Sequence, residues 1–233
     1  MFNLLVDASS YDGIDKIFII LQSLYDLVPI ALFFLGSLIL LKALYNKMVK
    51  GAYVLLSGGI IMVLSAGLLK ALHKFLIGAL EIDYTILDKQ FTPTQSIGFL
   101  LIFLGLIGMF TKYNKNYTKV RSSIIPLLLI PSFLVITEYD SSLPFIIMMV
   151  IGATGILSML IYISCRLKNT KAIIAFSIAI IAMLGMGYLS SGSTFSRAWI
   201  QISVNIIYQG MFFLGALFLK NSGLGEENSL YRE

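Results

Sequence analysis

The chain has 233 residues, 58% of them hydrophobic and 12% charged, with a formal net charge of +5. Soluble domains carry about 25% charged residues, so this composition excludes an ordinary water-facing globular domain and predicts an all-α polytopic membrane protein. The surplus of positive charge does not require nucleic acid, which is not an expected partner, because most of the Lys and Arg fall in three short loops as the positive-inside rule demands.

Residues 1–27 read as an exterior N-terminus ending in an amphipathic helix. Met1 to Lys16 show no basic stretch followed by an apolar core and a cleavage site, so no cleavable signal peptide is expected. Apolar residues recur at Ile14, Ile17, Phe18, Leu21, Leu24, Tyr25 and Val28, with Asp15, Gln22, Ser23 and Asp26 opposite. One helix running through to Asn46 would overshoot a hydrocarbon core of ~30 Å. The segment over 14–27 is therefore predicted to be interfacial or protruding, and kinked at Pro29.

Residues 28–220 are predicted to form seven spans, over 28–44, 52–72, 94–110, 123–137, 143–164, 172–189 and 199–219. Residues 221–233 make a short cytoplasmic tail, too short to fold alone. The loops after spans 1, 3 and 5 are basic. The N-terminus and the remaining loops are acidic or mixed. This alternation places the N-terminus outside and the C-terminus in the cytoplasm. Trp199 and Tyr188 mark outer interfaces, Tyr45 and Tyr162 inner ones. Abundant Lys and Ile point to a low-GC bacterium, and hence to the plasma (inner) membrane.

Spans 1–3 and 5–7 enter the membrane in the same sense, with span 4 inverting between them. Pro29 and Pro144 open spans 1 and 5, followed by Gly36 and Gly152. Phe103-Leu104-Gly105 in span 3 matches Phe213-Leu214-Gly215 in span 7. These landmarks predict a parallel three-plus-one-plus-three duplication, a plan that places a site between the halves. Chance sharing of Leu, Ile, Phe and Gly between apolar segments is the competing explanation. The topology resembles that of rhodopsins, but span 7 offers only Lys220, at its inner end, where a mid-span Schiff-base lysine is needed. It is also similar to that of sugar transporters of the PQ-loop group, but no Pro-Gln dipeptide occurs. Neither family is assigned.

Two polar clusters stand out. Gln201, Asn205, Tyr208 and Gln209 share one face of span 7, and Gln95 sits at the outer end of span 3. Amides at such depth either hydrogen-bond between helices or line a solute site. Lys70, His73 and Lys74 lie at the outer end of span 2, with Arg197 at the start of span 7. They read as snorkelling cations, as an ion-pair gate with the exterior acids, or as an anion anchor. Gly58, Gly59, Gly67, Gly98, Gly105, Gly108, Gly185 and Gly187 read as close helix contacts.

One His, one Cys and no Asp or Glu deep in the predicted spans leave no metal set, no catalytic group and no carboxylate relay. No enzyme activity and no cofactor are expected. Three functions remain: a small-solute binder or transporter with its site between spans 3 and 7, a receptor-like sensor subunit, or a structural subunit of a membrane complex. The uncharged stripe favours a neutral or amphipathic solute. Membrane lipids, and a membrane-protein partner or a second copy of the chain, are the other expected partners.

Overall fold

A computed structural model describes residues 16–45, 47–110, 143–189 and 195–224. Among these residues the fold is all-helical: α1 (Lys16–Leu44), α2 (Lys50–Leu80), the short α3 (Thr85–Lys89), α4 (Phe91–Phe110), α5 (Leu143–Arg166), α6 (Thr170–Leu189) and α7 (Phe195–Asn221). Five of them, counting α3 and α4 as one run, are long and apolar enough to cross a membrane, and α6 is a shorter apolar helix. The span predicted over 123–137, the first 15 residues and most of the Ser/Gly turn before α7 lie outside the described residues.

Helix directions follow from the contacts. Gly67 faces Ile30 while Gly78 faces Ile19 and Ile20, so α1 and α2 are antiparallel. Gly59 faces Gly98 and Ile102, and Gly105 faces Leu56 and Ala52, which makes α2 and α4 antiparallel too. Phe176 packs on Gly215 while the Asn169 amide donates to the Phe218 carbonyl at 2.9 Å, setting α6 against α7 in the same way. Two seams differ. Ser96 Oγ donates to the Phe145 carbonyl at 2.6 Å, Gly152 meets Phe99 and Leu100, and Gly155 meets Phe103, so α4 and α5 run parallel. Tyr25 meets Trp199, with ring centroids 5.5 Å apart, and Gly36 meets Phe212 and Phe213, so α1 and α7 are parallel as well.

The helices close into a ring, each packed on the next in the order α1, α2, α4, α5, α6, α7 and back to α1. Its centre is filled by Phe33, Leu44, Leu56, Leu106, Leu157, Phe176 and Phe212. Between lipid-bathed helices there is no hydrophobic driving force, so attraction comes from close van der Waals contact. Glycine supplies it here. A Cβ built on Gly59 would sit 2.5 Å from the Gly98 carbonyl oxygen, and one on Gly98 would sit 2.7 Å from Val63. Gly185 departs from the packing expectation, since a Cβ there meets nothing within 4 Å.

The first helix also departs from expectation, in the face that it buries. It continues through Pro29 for 29 residues as one helix, the protruding rather than the separate interfacial form of the two that the sequence allowed. Its polar side is turned inward: Gln22 and Ser23 are buried, while Ile17, Phe18, Leu24 and Tyr25 are exposed. The cause is α2, which also runs on, for 31 residues, and takes the polar side of α1 against its last turns. Asp26, which lies just before the span predicted over 28–44, is thereby enclosed, with a side chain 14% exposed.

Two glycine substitutions separate packing from mere composition. Gly98→Val is expected to lower the unfolding temperature of the detergent-solubilised protein strongly, by an overpacking cost of about 1–3 kcal/mol or more, whereas Gly185→Ala leaves it unchanged. Thermal unfolding of both variants checks this. Equal losses would mean that the α2–α4 backbone contact is not what holds the pair.

Candidate functional site

A cavity of about 80 Å³ opens among α1, α2, α4 and α7. A buried water occupies ~10–15 Å³ on this kind of measure, so the space holds several waters or one small solute. Its apolar wall is Pro29, Ile30, Phe33, Val63, Leu64 and Gly67. Gly67 leaves the gap that a larger side chain on α2 would close, with the nearest Ile30 atoms only 3.0 Å from a built Cβ. The polar groups are Asp26 from α1, Lys70 from α2, Gln95 from α4, and Asn205 and Gln209 from α7, with Phe91 beside them. Phe33 closes the cavity toward the middle of the bundle, stacked on Phe212 at 5.5 Å and edge-on to Phe99 at 6.4 Å.

The two sequence clusters thus meet, and the site is wider than a cleft between spans 3 and 7, because α1 and α2 contribute most of its wall. Gln95, Asn205 and Gln209 are brought together with Lys70. Tyr208 is buried in the core cluster and Gln201 is half-buried, and neither lines the cavity. The Arg197 side chain lies outside the described residues. Gln209 is 6% exposed, and its Oε1 is buried without a hydrogen-bond partner.

The three cations at the end of α2 take separate partners. His73 Nε2 lies 2.9 Å from Asp83 Oδ1, just beyond the helix end. Lys74 Nζ donates to Asp26 Oδ2 at 2.6 Å, both side chains 14% exposed. Lys70 Nζ stands 4.2 Å over the Phe91 ring. A spacing of three and four residues does place them near one face, but α1, the α2–α3 connection and α4 each supply a partner to one of them, a carboxylate to Lys74 and His73 and only an aromatic ring to Lys70. Farther out, the exposed Lys16 ammonium pairs with Glu81 and, chiefly through that hydrogen bond, holds its carboxyl below the usual carboxylate range. That contribution is present at neutral pH and is lost only as pH falls through the lowered value.

Sequence reasoning missed Asp26 and Phe91. Asp26 precedes Pro29 and reads as the exterior flank of a span, yet it was the lone carboxylate inside an otherwise apolar run, which was the available signal. Phe91 carried none. No protein-family model, curated protein or solved structure matches the chain.

The buried ion pair predicts a stability asymmetry. Asp26→Asn leaves the Lys74 ammonium buried without its carboxylate and is expected to cost about 3–5 kcal/mol. Asp26→Asn combined with Lys74→Met is expected to recover much of that loss. Lys16→Ala, at an exposed pair, changes the unfolding temperature little at neutral pH. Thermal unfolding of the four proteins decides; a double variant no better than Asp26→Asn would show that the pair is not the reason Asp26 matters.

Proposed function

We propose that this chain is a seven-span membrane protein, with its N-terminus outside, that binds a small polar solute in the outer cavity and carries it across the bilayer. The observation carrying this reading is the convergence of Lys70, Gln95, Asn205 and Gln209, from three helices, on one cavity with the Gln209 oxygen left unpartnered. A buried acceptor without a partner costs about 1–3 kcal/mol. A solute that donates to it recovers that loss, whereas interhelical glue would have used the group already.

The seven-span plan is supported by the parallel α4–α5 seam. The chain leaves α4 at one end of the bundle and enters α5 at the other, which one further crossing between Phe110 and Leu143 would account for. That stretch contains the apolar run predicted over 123–137. Orientation is supported by charge. Lys42, Lys47, Lys50, Arg166, Lys168 and Lys171 gather at one end, and among the described residues every acid, Asp26, Glu81, Asp83 and Asp88, lies toward the other. Positive charge marks the cytoplasmic side.

The duplication is supported by contacts in matching register. Gly105 packs on Leu56 and Gly215 on Phe176, each partner six residues after the first residue of its helix. Gln95 and Asn205 each stand ten residues before the matched glycine, so these two cavity-lining amides occupy corresponding positions in the halves, with Gln209 an addition in the second. Transport by movement of the halves places the closed gate at Phe33, Phe99 and Phe212. Ser37, one turn beyond Phe33 on α1, has a buried Oγ that is also unpartnered, marking a polar step past that gate.

The test uses stability and binding together. Gln209→Leu is expected to fold at least as stably as the parent, since it removes an unsatisfied acceptor, and Asn205→Leu to fold normally. Both are expected to lose any small molecule that native mass spectrometry finds on the gently solubilised parent. Variants that misfold instead would show that the amides hold helices together, and would move the reading to a structural subunit.

A further inference from the structure

We infer that the cavity takes a small monocarboxylate carrying a hydrogen-bond donor, with Lys70 as the anchor for its carboxylate. This rests on the solute-binding reading above and names the class of solute.

The charge balance of the wall carries the inference. Of the basic residues at the outer end of α2, His73 has Asp83 as its partner and Lys74 has Asp26. Asp26 and Lys70 are the ionisable groups lining the cavity, and the charge of Asp26 is already met by Lys74. The wall is left with one net positive charge, on Lys70. An ammonium has three donors, and the Phe91 face over which it stands offers charge stabilisation without accepting a conventional hydrogen bond. Among the described residues no carboxylate forms an ion pair with it. An incoming carboxylate supplies the missing acceptors, and a hydroxyl or amino group beside it donates to Gln209 Oε1. Asn205 and Gln95 offer both donors and acceptors for the remainder. The volume of about 80 Å³ limits the solute to a few heavy atoms. A single uncompensated cation selects one negative charge, so the proposal departs from the neutral or amphipathic solute expected from the amide stripe alone.

The test is calorimetric titration of the full chain in phosphatidylcholine nanodiscs with lactate and with lactamide, its neutral isostere. Lactate is expected to bind at least about tenfold more tightly than lactamide. Lys70→Gln is expected to bring lactate down to the lactamide level, and Lys70→Arg to keep most of the preference. The lactate–lactamide comparison in the parent needs no variant, so a Lys70→Gln protein that fails to fold leaves the test intact. Equal binding of the two probes would overturn the anion anchor while leaving the solute-binding reading standing. Lactate preference surviving in Lys70→Gln would remove Lys70 from the role. Absence of binding by either probe would overturn both readings. Lactate binding abolished by doping the discs with phosphatidylglycerol would assign the anion site to a lipid headgroup and overturn the free-solute assignment.

Discussion

The parallel seam between α4 and α5 is the contact on which the architecture depends. Short connections join antiparallel neighbours, as at the α1–α2 and α5–α6 turns. Two parallel helices in direct contact require the chain to travel back along the bundle between them. Gly152 and Gly155 make the seam close by accepting the backbone of Phe99 and the ring of Phe103, and Ser96 fixes its register through the Phe145 carbonyl. The second parallel seam, α1 on α7, closes the ring with the same device at Gly36. Each set of three helices is antiparallel within itself, and among the described residues the two sets pack mainly through the parallel seams. The two seams form the boundary between the two sets.

Polar groups are placed where that boundary needs them. Lipid satisfies no hydrogen bond, so a polar side chain in such a bundle either finds a partner or faces a water-accessible space. The outer turns of α1 and α2 use the first solution, with Asp26 on Lys74 and Lys16 on Glu81 tying two overlong helices together. The turns just below use the second, where Lys70, Gln95, Asn205 and Gln209 surround open volume. Below them the aromatic contacts of Phe33, Phe99, Phe176 and Phe212 seal the centre. Clamp, cavity and seal thus follow one another from the Lys16 end of the bundle toward its centre.

Much of this was legible in the residues. Apolar length located the described spans, because burying a backbone in lipid demands unbroken helix. The amides of α7 were visible because polar residues are rare there, and three of the five predicted solute-contacting residues do line the cavity. The N-terminal half of α1 was read the wrong way round for a physical reason. Periodicity finds two faces but does not say which one is inside, and in lipid the apolar face is the outer one. Gln22, Ser23 and Asp26 therefore passed for a solvated stripe when they form the packed one. Likewise, the spacing of Lys70, His73 and Lys74 showed a shared face but not which acids would claim two of them, since Asp26 lies 48 residues from Lys74 in the chain.

The central claim is that like halves meet in parallel, so that the start of α5 lies on the same side of the membrane as the α2–α3 connection. Single cysteines introduced in a Cys165→Ser background, at Asp83, Pro144, Lys47 and Lys168, and labelled in intact cells with a membrane-impermeant maleimide, test it directly. The account predicts labelling at Asp83 and Pro144 from outside, and none at Lys47 or Lys168 until the cells are opened. Asp83 and Pro144 labelling from opposite sides would contradict the parallel seam and, with it, the two-halved bundle.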